Sequence, residues 1–222
     1  MKLVIANKNY SSWSLRPWLV LKQTGAAFEE EVIPLEQPDT AARIAKRSAA
    51  GRVPVLIDGA LTVWDSLAIA EYVNEKFPQA QLWPRDAAAR ATARSVSAEM
   101  HSGFVALRSD LPMRLRSRFA PQPLRSEVQA NVDRITALWR DCRKNFGEKA
   151  GGPFLFGPFS IADAMYAPVV SRFRSYGVPL DPVCAAYSQA VWSLPALQEW
   201  AAAAEQETWP STEHEKGAPP AL

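Results

Sequence analysis

Residues 53–73 read VPVLIDGALTVWDSLAIAEYV, and this stretch carries the clearest structural signal in the chain. Two runs of β-forming residues flank Asp58-Gly59, a dipeptide that is favoured in two-residue hairpin turns. Asp65 or Ser66 can then cap a helix, because apolar residues follow at helical spacing. The stretch therefore predicts an antiparallel hairpin that runs directly into a helix.

The segment before the hairpin predicts two more strands, at residues 2–6 (KLVIA) and 28–33 (FEEEVI). Between these strands, Ser14 can cap a helix that ends at Gly25. A short helix is predicted at 39–48. The element order is then β-α-β-α-β-β-α. A helical crossover makes the first strand pair parallel and the hairpin is antiparallel, so we expect a mixed four-stranded sheet.

After the hairpin helix, residues 77–86 (FPQAQLWPRD) interrupt the periodicity with two prolines and read as a linker. Only helical patterns follow, and we expect the last dozen residues to be mobile. The helices are predicted at 86–108, 125–147, 181–192 and 194–206. The domain organisation predicted from these patterns is an α/β domain at 1–78, a linker at 79–86 and an all-helical domain at 87–222.

Composition excludes several kinds of chemistry. The chain has 222 residues, a formal net charge of +2, two Cys and two His. The near-neutral charge argues against a nucleic-acid partner. Clustered Cys and His ligands for a metal are missing, and Cys142 and Cys184 lie too far apart in the sequence for a dithiol motif. No signal peptide or membrane span is expected, and two unpaired cysteines favour the cytoplasm.

Two segments of the first domain could bind a ligand. A cis bond at Val53-Pro54 would leave the Val53 N–H and C=O free to pair with an extended peptide, whereas a trans proline would simply start an edge strand. Asp65 and Ser66 could hold an ammonium and a carboxylate at a helix start, or they could be an ordinary N-cap.

A third segment holds Ser11, Ser12 and Ser14, where the first strand meets the first helix. A hydroxyl at this helix start could donate to a thiolate and lower the pKa of its thiol, although Ser14 is the better cap by spacing. In the second domain, Ser160 and Asp163 form a capping box, which we interpret as structural. His101 is expected to be a packed or interface histidine.

Three segments together resemble the cytosolic glutathione S-transferase superfamily, and specifically its bacterial serine-type, zeta-like members. They are SSWSLRPWLVL at 11–21, GRVPVLIDGALTVWDSLAIAEYV at 51–73 and FSIADAMYAPVV at 159–170. The resemblance extends to about residue 205. It implies a thioredoxin-like glutathione-binding domain followed by an all-helical C-terminal domain, a cis bond at Pro54, and glutathione as cosubstrate without a metal.

The resemblance also implies residue roles. Val53, next to Pro54, would pair with the cysteinyl residue of glutathione, and Arg52 could reach the glycyl carboxylate. Asp65 and Ser66 would hold the γ-glutamyl group. Ser11 matches the serine that stabilises the thiolate, and Ser12 and Tyr10 are the next candidates. The electrophile pocket would lie between the domains, with Trp13, Met100, Phe104, Arg108, Tyr166 and Arg172 as candidates.

Two departures from the zeta pattern bear on activity. Trp13 stands where that pattern has a cysteine, and Gly51-Arg52 replaces a Gln-Lys pair. The main hypothesis is a homodimeric, cytoplasmic detoxification enzyme that activates glutathione for attack on a small electrophile. The alternatives are a glutathione-dependent isomerase of maleyl diacids, of the maleylacetoacetate or maleylpyruvate type, and a non-catalytic member that binds glutathione or apolar ligands.

Overall fold

The computed structural model describes residues 1–209 of the chain. The last dozen residues, for which the sequence predicts mobility, lie outside the described residues. No helix within residues 1–209 is long and apolar enough to cross a membrane. The same residues hold no cluster of three or more metal-ligating side chains. Both cysteines are buried free thiols.

A mixed four-stranded sheet forms the first domain, with strand order β2-β1-β3-β4. Its strands are β1 (Lys2–Ile5), β2 (Glu29–Val32), β3 (Val55–Asp58) and β4 (Leu61–Trp64). Strands β1 and β2 are parallel, whereas β3 is antiparallel to both β1 and β4. The central strands are the apolar ones, and the edge strands carry glutamates or exposed side chains, as sheet edges in soluble proteins usually do.

Three helices accompany the sheet, as the sequence predicts: α1 (Ser12–Thr24), α2 (Thr40–Ala45) and α3 (Ser66–Lys76). A 3₁₀ turn at Pro78–Ala80 follows. The second domain contains α4 (Ala87–Ser102), α5 (Val105–Asp110), α6 (Ser126–Cys142), α7 (Glu148–Ala150), α8 (Ile161–Ser175), α9 (Pro182–Trp192) and α10 (Pro195–Glu205). A π-helical turn at Arg143–Gly147 joins α6 to α7.

The prediction of a single long helix at 86–108 is wrong, because the structure has two helices there, one ending at Ser102 and the next beginning at Val105. Gly103 is extended and Phe104 has a φ of +57°, so the chain changes direction before α5 begins. A β-carbon on Gly103 would lie 2.7 Å from the carbonyl oxygen of Glu99. The glycine is therefore needed for the close approach that ends α4.

Helix α8 is the centre of the second domain, and 14 of its 15 residues are buried. The capping box at its start is present: both Ser160 Oγ and the Ser160 N–H donate to the Asp163 carboxylate. This carboxylate also accepts from Leu155 N at 3.1 Å and Tyr187 Oη at 3.2 Å. Burial raises the pKa of Asp163 to about 6, and the four hydrogen bonds oppose that rise.

Candidate functional site

The first part of the site is the N-terminus of α1, where the structure corrects the predicted cap. Ser11, not Ser14, is the N-cap residue, and its Oγ accepts from Ser14 N at 3.4 Å. Ser14 Oγ lies inside the first turn, where it accepts from Ser11 Oγ at 2.7 Å and from Ala6 N at 3.2 Å. The helix begins earlier than predicted, because the turn after β1 already brings Ser12 into helical geometry. Ser14 therefore lies inside the helix and not at its cap.

The three candidate donors of this segment differ in their partners. The Ser11 hydroxyl donates to Ser14, and Tyr10 Oη lies 3.4 Å from Arg116 Nη2. The Ser12 hydroxyl has no hydrogen-bond partner in the part of the chain that the structure describes. All three candidates line one cavity of about 530 Å³. Ser12 therefore offers the hydroxyl that is free to bind a ligand atom.

The second part is the segment before β3. The Val53-Pro54 peptide bond is cis. Neither the N–H nor the C=O of Val53 is hydrogen-bonded to any other described residue. Arg52, immediately before Val53, is exposed and lines the same cavity. The segment thus presents a free backbone donor and acceptor that an extended peptide can pair with.

The third part is the start of α3. Asp65 is the N-cap, with Oδ1 accepting from Leu67 N at 2.8 Å and from Ala68 N at 3.4 Å. Its φ is +73°, a strained conformation for a residue with a side chain. Ser66 is only 1% exposed, and its hydroxyl has no partner within residues 1–209. A buried, unsatisfied hydroxyl beside a helix N-terminus suits an anionic ligand group.

A residue of the second domain completes this part of the site. His101 Nε2 on α4 lies 3.1 Å from Asp65 Oδ2, and the His101 ring packs edge-on against Trp13 with centroids 5.2 Å apart. The sequence predicts a packed or interface histidine here, and the structure places His101 against Trp13 and Asp65 of the first domain. What the sequence did not indicate is that its partner is Asp65.

Two adjoining cavities connect these parts. One of about 620 Å³ contains Trp13, Arg52, Val53, Pro54, Asp65 and Ser66, together with Ala50, Trp64 and His101. The cavity of about 530 Å³ shares Trp13, Arg52 and Val53 with it. Trp13 therefore lies between the two cavities, and each has a volume typical of small-molecule sites. A larger cavity of about 850 Å³ lies elsewhere, along residues 79–86 and 145–160.

Positive charge is concentrated around Trp13. The guanidinium carbons of Arg16 and Arg108 lie 4.2 Å and 5.3 Å from the centroid of the Trp13 ring. Burial, and then repulsion from Arg172 and Arg108, lowers the pKa of Arg16 to about 9. Burial and Arg108 lower the pKa of Arg172 to about 10. All three remain protonated at neutral pH, so they favour an anion in the neighbouring cavity.

Of the six candidates for the electrophile pocket, three line a cavity between the domains and three do not. Trp13, Arg108 and Arg172 line the 530 Å³ cavity. Met100, Phe104 and Tyr166 do not line it; they are buried in the hydrophobic core. Tyr166 donates to Val96 O at 3.2 Å and packs against Trp139, which explains its full burial.

Ala50, Trp64 and His101 were missed as lining residues. Trp64 directly precedes Asp65, so its place in the hairpin could have indicated the site. No signal in the sequence pointed to Ala50 or to the contact of His101.

Two family models match the chain. One describes the N-terminal domain of glutathione S-transferases and covers residues 10–76, and the other describes their C-terminal domain and covers residues 98–203. A Caenorhabditis elegans protein named probable maleylacetoacetate isomerase is 27% identical over 175 residues, which is 77% of this chain and 78% of that protein.

Solved structures with the same architecture cover nearly the whole chain. A sphingomonad glutathione S-transferase complexed with glutathione has a TM-score of 0.64 and 25% identity, over 93% of this chain and 100% of that one. A bacterial maleylpyruvate isomerase of the zeta class has a TM-score of 0.70 and 22% identity, over 94% and 100%. At 22% identity, the second likeness shows a shared fold alone.

Proposed function

Because the chain belongs to the glutathione S-transferase superfamily, with both domains matched, we propose which of its residues bind glutathione and activate the thiol. The enzyme transfers glutathione to an electrophilic small molecule and uses glutathione as its cosubstrate. The observation that carries the residue assignment is the convergence of unpartnered groups on two adjoining cavities. These groups are the Ser66 hydroxyl, the Val53 backbone and the Ser12 hydroxyl.

The γ-glutamyl group of glutathione binds at the start of α3. Its carboxylate takes the Ser66 hydroxyl and the Ser66 N–H, which the Asp65 cap leaves free, and its ammonium lies against the Asp65 carboxylate. The Oδ1 atom of Asp65 already caps the helix and Oδ2 lies near His101, so the carboxylate is held in place before the ligand binds. This preorganisation lowers the entropic cost of binding.

The cysteinyl residue pairs with Val53 as an added strand, which carries its sulfur toward the N-terminus of α1. Arg52 lines both cavities and is the cation that we assign to the glycyl carboxylate. A hydroxyl donor at a helix N-terminus stabilises a thiolate over a thiol, because both the hydrogen bond and the helix dipole favour the negative charge. Ser11 is the donor implied by resemblance, and Ser12 is supported by its unpartnered hydroxyl.

Titration of bound glutathione by its ultraviolet thiolate absorbance tests this mechanism. The thiol pKa should fall well below the value in free glutathione, and an unshifted pKa in the wild-type chain would refute the mechanism. Comparing Ser11→Ala, Ser12→Ala and Tyr10→Phe then assigns the donor, because only the true donor's variant should return the thiol pKa toward its free value. Ser95→Ala is a suitable control, since its hydroxyl only bonds the Ala91 carbonyl within α4.

A second candidate function is the glutathione-dependent isomerisation of maleyl diacids. Arg108 and Arg172 line the cavity beside the serines, and both guanidiniums retain nitrogens without a partner among the described residues. Such groups suit substrate carboxylates, and the name of the Caenorhabditis elegans relative supports this class.

Assays with maleylacetoacetate and maleylpyruvate test the second candidate. Arg108→Gln should reduce kcat/KM for a diacid roughly tenfold and leave a neutral electrophile unaffected. Arg85→Gln, at an exposed site elsewhere, should change neither. Failure to turn over either diacid would exclude the isomerase.

We further propose a homodimeric, cytoplasmic enzyme of detoxification. Leu61 on edge strand β4 is 47% exposed, and a second copy of the chain is the natural cover for this edge. The two buried free thiols fit a reducing compartment. Sedimentation equilibrium should give a dimer for the wild type and a monomer for Leu61→Glu, and a monomeric wild type would refute the dimer.

A further inference from the structure

The loop at residues 7–11, hereafter the serine loop, is hydrogen-bonded to residues on α10 and directly after it. Glu207, just beyond α10, accepts hydrogen bonds from two successive backbone N–H groups of the loop. Its Oε1 accepts from Lys8 N, and its Oε2 accepts from Asn9 N at 3.1 Å. Trp200 on α10 donates from Nε1 to Lys8 O at 2.9 Å.

The internal hydrogen bonds of the serine loop explain why this contact matters. Ser11 N donates to Asn7 O at 2.8 Å, and Tyr10 N donates to the same oxygen at 3.2 Å. The N–H groups of Lys8 and Asn9 therefore lie outside the turn, where Glu207 is their acceptor. The turn leads directly into the Ser11 cap, so the position of the loop sets the position of Ser11 and Ser12.

A second set of contacts ties Glu207 and the loop to the segment after α5. Arg116 donates from its backbone N to Asn9 Oδ1 at 3.0 Å and from Nη1 to the Glu207 carbonyl at 3.0 Å. Leu115 N donates to Asn9 O at 3.4 Å. The second domain thus contacts the backbone of the serine loop from two directions.

Two cations interact favourably with the Glu207 carboxylate. They are Arg116 and Lys8, and the Lys8 ammonium forms its ion pair with Glu30 at 2.6 Å. Burial raises the pKa of Glu207, whereas the two backbone hydrogen bonds and the two cations oppose that rise. A protonated or amide side chain would keep only one good acceptor for two N–H donors.

We propose that Glu207 is a positioning residue for thiol activation: its carboxylate fixes the serine loop so that the hydroxyls at the start of α1 meet the glutathione sulfur. This inference rests on the proposed function. Glu207 lines neither of the two cavities, so its loss acts through the loop. The variant should bind glutathione nearly as well, since Val53, Asp65 and Ser66 lie in other segments.

The experiment compares Glu207→Gln and Glu207→Asp with Glu205→Gln, an exposed glutamate two residues away. For Glu207→Gln, the thiol pKa of bound glutathione should rise by about one unit toward its free value. A rise of one pKa unit lowers the thiolate fraction tenfold at any pH below the wild-type thiol pKa. In that pH range kcat should therefore fall about tenfold, while KM for glutathione stays nearly constant. Glu207→Asp keeps the charge and should recover part of the pKa shift.

The pH profile separates positioning from general destabilisation. If Glu207 acts through the thiol, the kcat deficit of Glu207→Gln should shrink as the pH rises above the variant's thiol pKa. A deficit that is constant with pH, or a thiol pKa that stays at the wild-type value in both Glu207 variants, overturns the inference alone. An unshifted thiol pKa in the wild type overturns the proposed function as well.

Discussion

Replacing Asp65 with Asn separates the structural role of this residue from its proposed role in binding. Asn caps helices as well as Asp and tolerates positive φ better than most residues, so α3 should keep its cap and its φ of +73°. The free energy of unfolding should therefore change by less than about 0.5 kcal/mol. Asp65→Ala should instead cost about 1 kcal/mol for the lost cap and roughly 1 kcal/mol more for backbone strain.

The loss of binding follows from the charge that Asn removes. A hydrogen bond to a charged group contributes about 1.5–3 kcal/mol. The Asp65 side chain is 44% exposed, so water screens part of its attraction for the γ-glutamyl ammonium and the lower end applies. A loss of about 1.4 kcal/mol corresponds to a roughly tenfold higher Kd for glutathione.

Isothermal titration calorimetry should be run with glutathione and with an analogue that lacks the γ-glutamyl amine. The wild type should bind the analogue roughly tenfold more weakly than glutathione, whereas Asp65→Asn should bind the two alike. Asp86→Asn is the matched control, because Asp86 caps α4 in the same way, accepting from Ala89 N at 2.8 Å. If Asp65→Asn still discriminated the amine as the wild type does, the assignment would be wrong.

Three further predictions follow from buried groups. Ser66→Ala removes a hydroxyl that has no partner among the described residues, so the free energy of unfolding should not change. Calorimetry should show a roughly fivefold higher Kd for glutathione. An unchanged Kd would contradict the role of Ser66 in binding. The Asp163 carboxylate accepts four hydrogen bonds, and Asp163→Asn replaces one of its acceptor oxygens with an NH₂ group that faces these donors. Urea denaturation should therefore show a free energy of unfolding that is lower by about 2–4 kcal/mol. Burial raises the pKa of Cys142 and of Cys184 to about 12, above the usual value of 9, so at pH 8 both stay protonated. Neither should react with Ellman's reagent until the chain is unfolded in guanidinium, and a fast-reacting native thiol would disprove this.

Local signals predicted most of the first domain and indicated the segments that line the two cavities. The Asp58-Gly59 turn, the helix start at Asp65-Ser66 and the box at Ser160 each depend on residues a few positions apart, and such short-range chemistry is visible in one segment. The mistaken cap at Ser14 and the unbroken helix at 86–108 arose where the backbone departs from regular geometry.

The sequence by itself determined the two-domain architecture, because apolar spacing and turn chemistry specify elements without knowledge of their partners. Only the tertiary structure decided which side chains of the second domain reach the cavities. Successive helical residues point about 100° apart, so Met100 enters the core while neighbouring His101 meets Asp65. Periodicity indicates which face of a helix is buried, but the element that packs against that face depends on contacts between residues distant in sequence. The hydrogen bonds from the serine loop to Glu207 join residues almost 200 positions apart, so only the tertiary structure reveals them.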